Sequence, residues 1–333
     1  MRIASNVIKP MQNIWKNTEA HFANRKIVKN LIYLKEILFI KKSLRGKTCI
    51  LQFRGGSPGL FSYVINSLGF VRYAHKRGMI PVIDLQSFET TYLSKEHVGE
   101  MNAWEYYFEQ PCRIGLQSIK REYCEVYDIS DFLKIEPTQT PSWDMNWWGC
   151  LTEGSLNNRM WRAYCHRYIK LSDKAINKLD CIYNNLIKDG DRVLGVLCRG
   201  TDYTQRRPSG HPVQPTAEMM IEKIDAVIKE RGYNKIYLAT EDKLIFNKFK
   251  FHYGEKIISI ESNLIDYNGK SWINTLLPSD EQGKIDKGMD YLMSIMILSR
   301  CKAFIAGRTS GSMGVMLLTK GFEYSYFYDL GYY

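Results

Sequence analysis

Short apolar runs alternate with helix-forming stretches through the carboxy-terminal half of this chain, and no other feature limits its fold as strongly. Runs at Val193–Cys198, Lys235–Thr240, Lys256–Ile260, Ala303–Ala306 and Phe322–Tyr328 are separated by helical patterns near 215–231, 243–252, 286–300 and 311–320. Continuous apolar strands of this length are buried on both faces, so the pattern predicts a parallel sheet covered by helices on either side. A similar unit opens earlier. Strand Thr48–Phe53 leads through the turn Arg54–Gly59 into a helix ending near Arg77, then strand Ile80–Leu85 with Asp84 near its end. The fold class is therefore α/β. At 333 residues, two domains are expected, with a boundary near residue 188: an extension over 1–47, a first domain over 48–188 and a second over 189–333. The stretch 86–160 is rich in aromatics, among them Trp104, Tyr106, Tyr107, Phe108, Trp143, Trp147 and Trp148. It reads first as core, with an aromatic groove for a sugar as the other reading.

Charge is distributed unevenly. The formal net charge is +11, but residues 1–47 hold eleven basic side chains against Glu19 and Glu36, which leaves only +2 for the other 286 residues. A nearly neutral body offers no broad electrostatic footprint for nucleic acid, and that class of partner is excluded. Within the extension, Ile27, Leu31, Leu34 and Leu38 recur at helical spacing, interrupted by Lys35 and Lys42. Two readings stand: a helix packed on the body, or a helix docked on a membrane surface. Eight scattered cysteines form no C-x-x-C pair, which argues against zinc and for a reduced, cytoplasmic protein, held peripherally at the membrane in the second reading.

Ligands of open α/β sheets bind beyond the carboxyl ends of the strands. Past the first strand of the second series stand Arg199, Gly200, Thr201 and Asp202; past the next, following Thr240, stand Glu241 and Asp242. Past the fourth stand Gly307, Arg308, Thr309, Ser310, Gly311 and Ser312, running into a helix. Arginine's planar fork suits phosphate oxygens, and a helix start supplies unpaired N–H groups and a positive dipole end. Each feature alone has an ordinary explanation, an ion pair for the arginine and a cap for the serines. Together on one sheet edge they suit a nucleoside diphosphate. Asp202 is placed to orient Arg199, and Glu241 or Asp242 to accept from a ribose or base edge. Asp189-Gly190-Asp191 resembles a metal-binding D-x-D but precedes a strand, so it reads as a turn. Gly195 and Gly200 have P-loop spacing, yet Thr201 stands where lysine is required.

These residues resemble those of the α1,6-, α1,2- and protein O-fucosyltransferases, a group that includes the Nod-factor enzymes. Leu194-Gly-Val-Leu-Cys-Arg199-Gly-Thr-Asp202 is similar to their H-x-R-R-x-D signature, and His211-Pro212 follows Arg199 by the twelve residues seen in the α1,6 enzymes. Tyr237-Leu-Ala-Thr-Glu-Asp242 is similar to their Y-L-A-T-D-D strand end, and Ser310-Gly-Ser to their serine-containing loop. Gly55, Gly56 and Ser57 lie where the family has a glycine-rich loop facing the donor phosphates. The resemblance spans about residues 48–320. It implies a GT-B architecture, two Rossmann-like domains facing a cleft, and inverting, metal-independent transfer of fucose from GDP-fucose to a glycan or lipid-linked glycan. It also implies that Arg199 neutralises the leaving phosphate with support from Asp202. Leu197 replaces the signature's histidine, Gly200 its second arginine, Ser294 the acid that reads guanine, with Asp290 four residues earlier, and Arg207 the base of the α1,6 enzymes. A base is still required for the acceptor hydroxyl, and Asp84, Glu105 and His211 are the candidates.

Overall fold

The computed structural model describes residues 18–40, 43–54, 58–135, 140–141, 155–267, 278 and 280–333. Among the described residues, two parallel sheets carry the architecture. The first has three strands in the order β2-β1-β3, with β1 Thr48–Gln52, β2 Ile80–Asp84 and β3 Glu125–Asp128. Helix α1, Thr18–Phe39, precedes it, and α2, Leu60–Arg77, connects β1 to β2. Gly78 ends α2 in a left-handed turn (φ 69°), donating its N–H to Ala74 and His75. Strand β3 was not legible in advance: Glu-Val-Tyr-Asp has no apolar run, because an edge strand with a half-exposed face needs none. Short α3, Ala103–Tyr107, and α4, Ile129–Ile135, flank β3 in sequence, and α5, Leu156–Tyr168, and α6, Asp173–Leu186, lead to the second sheet.

The second sheet has the order β6-β5-β4-β7-β8: β4 Val193–Leu197, β5 Lys235–Ala239, β6 Ile257–Ile258, β7 Ala303–Gly307 and β8 Tyr324–Tyr328. All its pairings are parallel, as the alternation predicted. Helices α7 Thr201–Arg206, α8 Ala217–Arg231, α9 Lys243–Tyr253, α10 Glu281–Arg300 and α11 Ser310–Leu318 connect them. Asp189-Gly190-Asp191 is a turn at the opposite end of the sheet from the strand ends that precede Arg199, Glu241 and Arg308, with Gly190 at φ 89°.

Alternate residues of these strands enter different cores. Leu194, Val196, Ile236, Leu238, Ala303 and Ile305 pack with α8 and α9. Leu197, Tyr237, Ala239, Phe304 and Ala306 belong to a larger cluster that also holds Leu51, Phe61, Leu68, Trp104 and Trp161 from the amino-terminal half. Glycines permit close approach there. A Cβ on Gly195 would fall 3.0 Å from Leu298 on α10, and one on Gly314 would run into the Phe61 ring, so α11 crosses α2 almost backbone to side chain. Gly195 and Gly314 are thus packing positions.

Helix α1 packs on the body, but not by its most regular stripe. Ile27, Leu31, Leu34 and Leu38 are exposed, whereas Tyr33 and Ile40 are buried. Glu36 accepts from both Nε and Nη2 of the fully buried Arg72, at 2.7 and 2.6 Å. Among the described residues no helix is long and apolar enough to cross a membrane. The seven described cysteines are free thiols.

Candidate functional site

The second sheet's register builds the site. Leu197 pairs with Ala239 on one side and Ala306 on the other, and Gly307 pairs with Tyr328. Two residues past Leu197, Ala239 and Ala306 stand Arg199, Glu241 and Arg308; one past Tyr328 stands Asp329. Four adjacent strand ends therefore present the row Glu241–Arg199–Arg308–Asp329, acid, arginine, arginine, acid. The contacts agree with the register. Arg199 Nη1 lies 2.9 Å from Glu241 Oε1, and Arg308 Nη2 lies 2.7 Å from Asp329 Oδ2. Each arginine is paired outward, and neighbouring strands run ~4.8 Å apart, so two guanidiniums share the middle of the edge. An anion with several oxygens fits between such charges, whose planar donors match phosphate.

Local geometry fixes the row. Asp242 caps α9, accepting from the N–H groups of Leu244 and Ile245 at 2.9 and 3.2 Å, and its other oxygen accepts from Thr201 N–H at 3.1 Å. Thr201 donates its hydroxyl to Glu241 Oε1 at 3.0 Å while held at φ 55°, a region that costs a β-branched residue on the order of 1–3 kcal/mol. Strain of that size is kept because two acids and a helix start depend on the same turn. Burial pushes the thiol of Cys198, just before Arg199, up to about 12, so it offers no thiolate.

Thr309 and Ser312 form a capping box at the start of α11: Ser312 N–H donates to Thr309 Oγ1 at 3.0 Å, and Thr309 N–H donates to Ser312 Oγ at 2.9 Å. Their hydroxyls are used within the turn, whereas Ser310 Oγ reaches Ser62 Oγ on α2 at 3.0 Å. A Cβ on Gly311 would fall 2.5 Å from the Tyr291 hydroxyl. Two further groups lie close enough to feel the row's charges. Tyr92 is near enough to Arg199 to feel its charge, and its hydroxyl accepts the Leu60 N–H at the start of α2, at 2.8 Å. Burial lowers Lys287 on α10 from its ordinary value, against the pull of Glu241 and Asp290.

The structure thus brings together Arg199, Thr240, Glu241, Asp242, Arg308, Thr309, Ser310, Gly311 and Ser312, with Asp202 in the first turn of α7. Thr240 serves the turn, its hydroxyl accepting from Asp242 N–H at 3.2 Å. Gly55, Gly56 and Ser57 lie outside the described residues. Asp84 is buried at the end of β2 and fully engaged: it accepts from Gln52, Ser87, Arg121 and the N–H groups of Gln86 and Ser87, the arginine at 3.0 Å. Glu105 accepts from Gln110 Nε2 at 3.0 Å within the network that ties α3 to β2. Neither joins the row. His211 is exposed on the loop 207–214. Asp290 accepts from Lys178 at 2.6 Å and Ser262 at 2.8 Å. The sequence reading missed Asp329, Tyr92, Lys287 and Ser62. The rule of looking past each strand end would have found Asp329, had it been applied to β8 as well.

No protein-family model and no curated protein matches the chain in sequence. Among solved structures, its fold is similar to that of NodZ alpha-1,6-fucosyltransferase soaked with GDP-fucose, with TM-score 0.47 and 14% identity, covering 82% of this chain and 93% of that one. It is similar also to fucosyltransferase NodZ from Bradyrhizobium, with TM-score 0.49 and 14% identity over 83% and 94% of the two chains. A third similar structure is POFUT1 in complex with GDP-fucose, with TM-score 0.48 and 12% identity over 86% and 99%. These structural neighbours are fucosyltransferases.

Proposed function

We propose that the protein is an inverting, metal-independent glycosyltransferase of GT-B architecture that transfers fucose from GDP-fucose to a surface polysaccharide or another glycan, including a lipid-linked one. The Glu241–Arg199–Arg308–Asp329 row at the strand ends carries this reading, because it sets two oriented guanidiniums where a diphosphate would lie. Guanosine and fucose are assigned from the resemblance of the segments around Arg199 and Glu241. In the reaction an acceptor hydroxyl attacks the anomeric carbon from the face opposite the diphosphate, and the carbon–oxygen bond to the β-phosphate breaks. The negative charge then developing on that oxygen is met by Arg199, with Arg308 and the start of α11 beside it. The acceptor proton passes to a base. With Asp84 and Glu105 committed to structural bonds, His211 is the candidate on a loop at this edge. The functional division places acceptor binding in 48–188 and donor binding in 189–333.

Titration calorimetry of GDP against UDP, CMP and ADP tests the donor. GDP binds in preference to the others, and Arg199→Ala both weakens it and lowers turnover at least ~100-fold, the scale of a lost transition-state charge contact. GDP binding that Arg199→Ala leaves unchanged sinks the assignment. A different nucleotide sugar is the second reading, favoured by Ser294 in the guanine-reading position and by Asp290 being tied to Lys178 and Ser262. A donor panel assayed with EDTA separates the two. The missing family base favours a third, a non-catalytic binding module, which hydrolysis of donor without acceptor rules out.

We place the protein in the cytoplasm, peripheral at the inner face of the membrane. The exposed face of α1, Ile27, Leu31, Leu34, Leu38 and Phe39, supports an anionic bilayer as its occupant, since the extension's net +9 attracts anionic lipid and repels a second copy. Leu31→Glu/Leu34→Glu/Leu38→Glu leaves the packed face untouched and abolishes sedimentation with anionic vesicles. Undiminished sedimentation of that variant refutes the docking.

A further inference from the structure

We propose that Asp329–Tyr333 is a strap that positions the second arginine of the row and the loop carrying His211, with Asp329 the positioning residue for Arg308. The inference deepens the donor-site reading and rests on it.

After α7 the chain runs through Arg207 at φ 47°, Pro208, Gly210 at φ 76° and Pro212 without regular structure. Such a segment has few internal bonds to hold it, and its order must come from outside. The strap supplies one side. Val213 N–H donates to Gly331 O at 2.9 Å, Tyr333 N–H to His211 O at 3.0 Å and Gly210 N–H to Tyr333 O at 3.2 Å, with Pro212 and Tyr332 paired antiparallel. Gln214 supplies the other. It is buried, and its Nε2 donates at 3.0 Å to both Pro212 O and Arg308 O. The His211 loop is thereby clamped between the strap and the backbone of the arginine it flanks. The strap then begins at the residue that grips that arginine's side chain, Asp329 on Arg308 Nη2 at 2.7 Å. Arg308 Nε is buried, with no hydrogen-bond partner among the described residues, so the guanidinium's aim depends on its outer edge.

The sign of one measurement decides between roles. Asp329 is more than half exposed. By charge alone its carboxylate opposes a nearby diphosphate, and removing it would tighten GDP binding. A positioning role predicts the reverse, because an unheld guanidinium must be ordered again on binding. Calorimetry with GDP on the full chain compares wild type, Arg199→Ala, Asp329→Asn and Asp329→Ala. Both Asp329 variants weaken GDP about tenfold, the scale of one charge-assisted hydrogen bond, and raise the donor KM more than they lower kcat. A chain shortened to Leu330 exchanges the amide hydrogens of 207–214 faster and loses turnover. Asp329→Asn binding GDP as tightly as wild type, or more tightly, overturns the positioning role even where Arg199→Ala abolishes binding and the donor site stands. Unchanged exchange in the shortened chain overturns the strap. GDP binding indifferent to Arg199→Ala overturns the donor reading and this inference with it.

Discussion

Beside the row, next to Arg199, Gly200 has no space for a side chain. A Cβ there would fall 2.5 Å from Asp242 Oδ2 and 2.6 Å from Ile245 on α9, so the position where the resembling signature has a second arginine has no room for any side chain. The second guanidinium enters from the neighbouring strand instead, as Arg308. Gly200→Ala should therefore cost about 1–3 kcal/mol of stability and displace Arg199, read as a lower melting temperature together with weaker GDP binding. An alanine variant with unaltered melting and GDP affinity would contradict the packing around Asp242. Arg199, Glu241 and Arg308 were legible because strand ends can be located from apolar runs alone. Their pairing was not: a sequence lists residues past each strand but does not give strand order, and only the order β5-β4-β7-β8 sets the four in one row. Asp84 misled for a related reason. A strand-end acid looks free in sequence, yet a buried carboxylate must be surrounded by donors, and Arg121, Gln52 and Ser87 gather around it.

Among the elements, α1 shows where hydrophobic periodicity stops being decisive. Its apolar residues at positions 27, 31, 34 and 38 define a clean stripe, but the helix turns that stripe outward. Arg72, in the middle of α2, is fully buried, and a buried guanidinium without a counter-charge costs more than a few leucines contribute. Glu36 meets it in a two-pronged bond, and that requirement sets the helix's rotation. The interaction joins residues 36 positions apart, which no local pattern reports. Arg72→Ala should cost about 3–5 kcal/mol, since it leaves the largely closed Glu36 with Lys76 Nζ at 3.5 Å in place of the two-pronged bond, whereas Glu36→Leu/Arg72→Met should recover most of the loss. Chemical denaturation of the two variants measures this. If the double variant is as unstable as the single, the pair is not what fixes α1.

For the whole molecule, the proposed division of function near residue 188 is not a division of packing. One face of the second sheet closes on α8 and α9, but the other enters the cluster that contains β1, α2 and α5. The sequence shows that these strands are buried on both sides; it does not say which helices cover each side, and chain length alone suggests a core per domain. Separating the halves would expose Gly288, Tyr291 and Gly314 on one side and Phe61, Tyr92 and Tyr107 on the other, which meet across the boundary. At about 1.5–3 kcal/mol for each buried apolar side chain, that exposure costs a large part of a domain's stability. Unfolding in urea should therefore be one transition. The fluorescence of Trp104 and Trp161, buried in the amino-terminal half, should change together with far-ultraviolet circular dichroism, which reports helices of both halves. Residues 189–333 produced alone should lack a cooperative transition. Two separated midpoints, or a carboxy-terminal half that melts sharply on its own, would show that each half holds its fold without the shared core. Donor-driven rearrangement would then be a motion between independent bodies; with a single transition, it must occur within one packed unit, where Ser62 and Ser310 already touch across the start of α11.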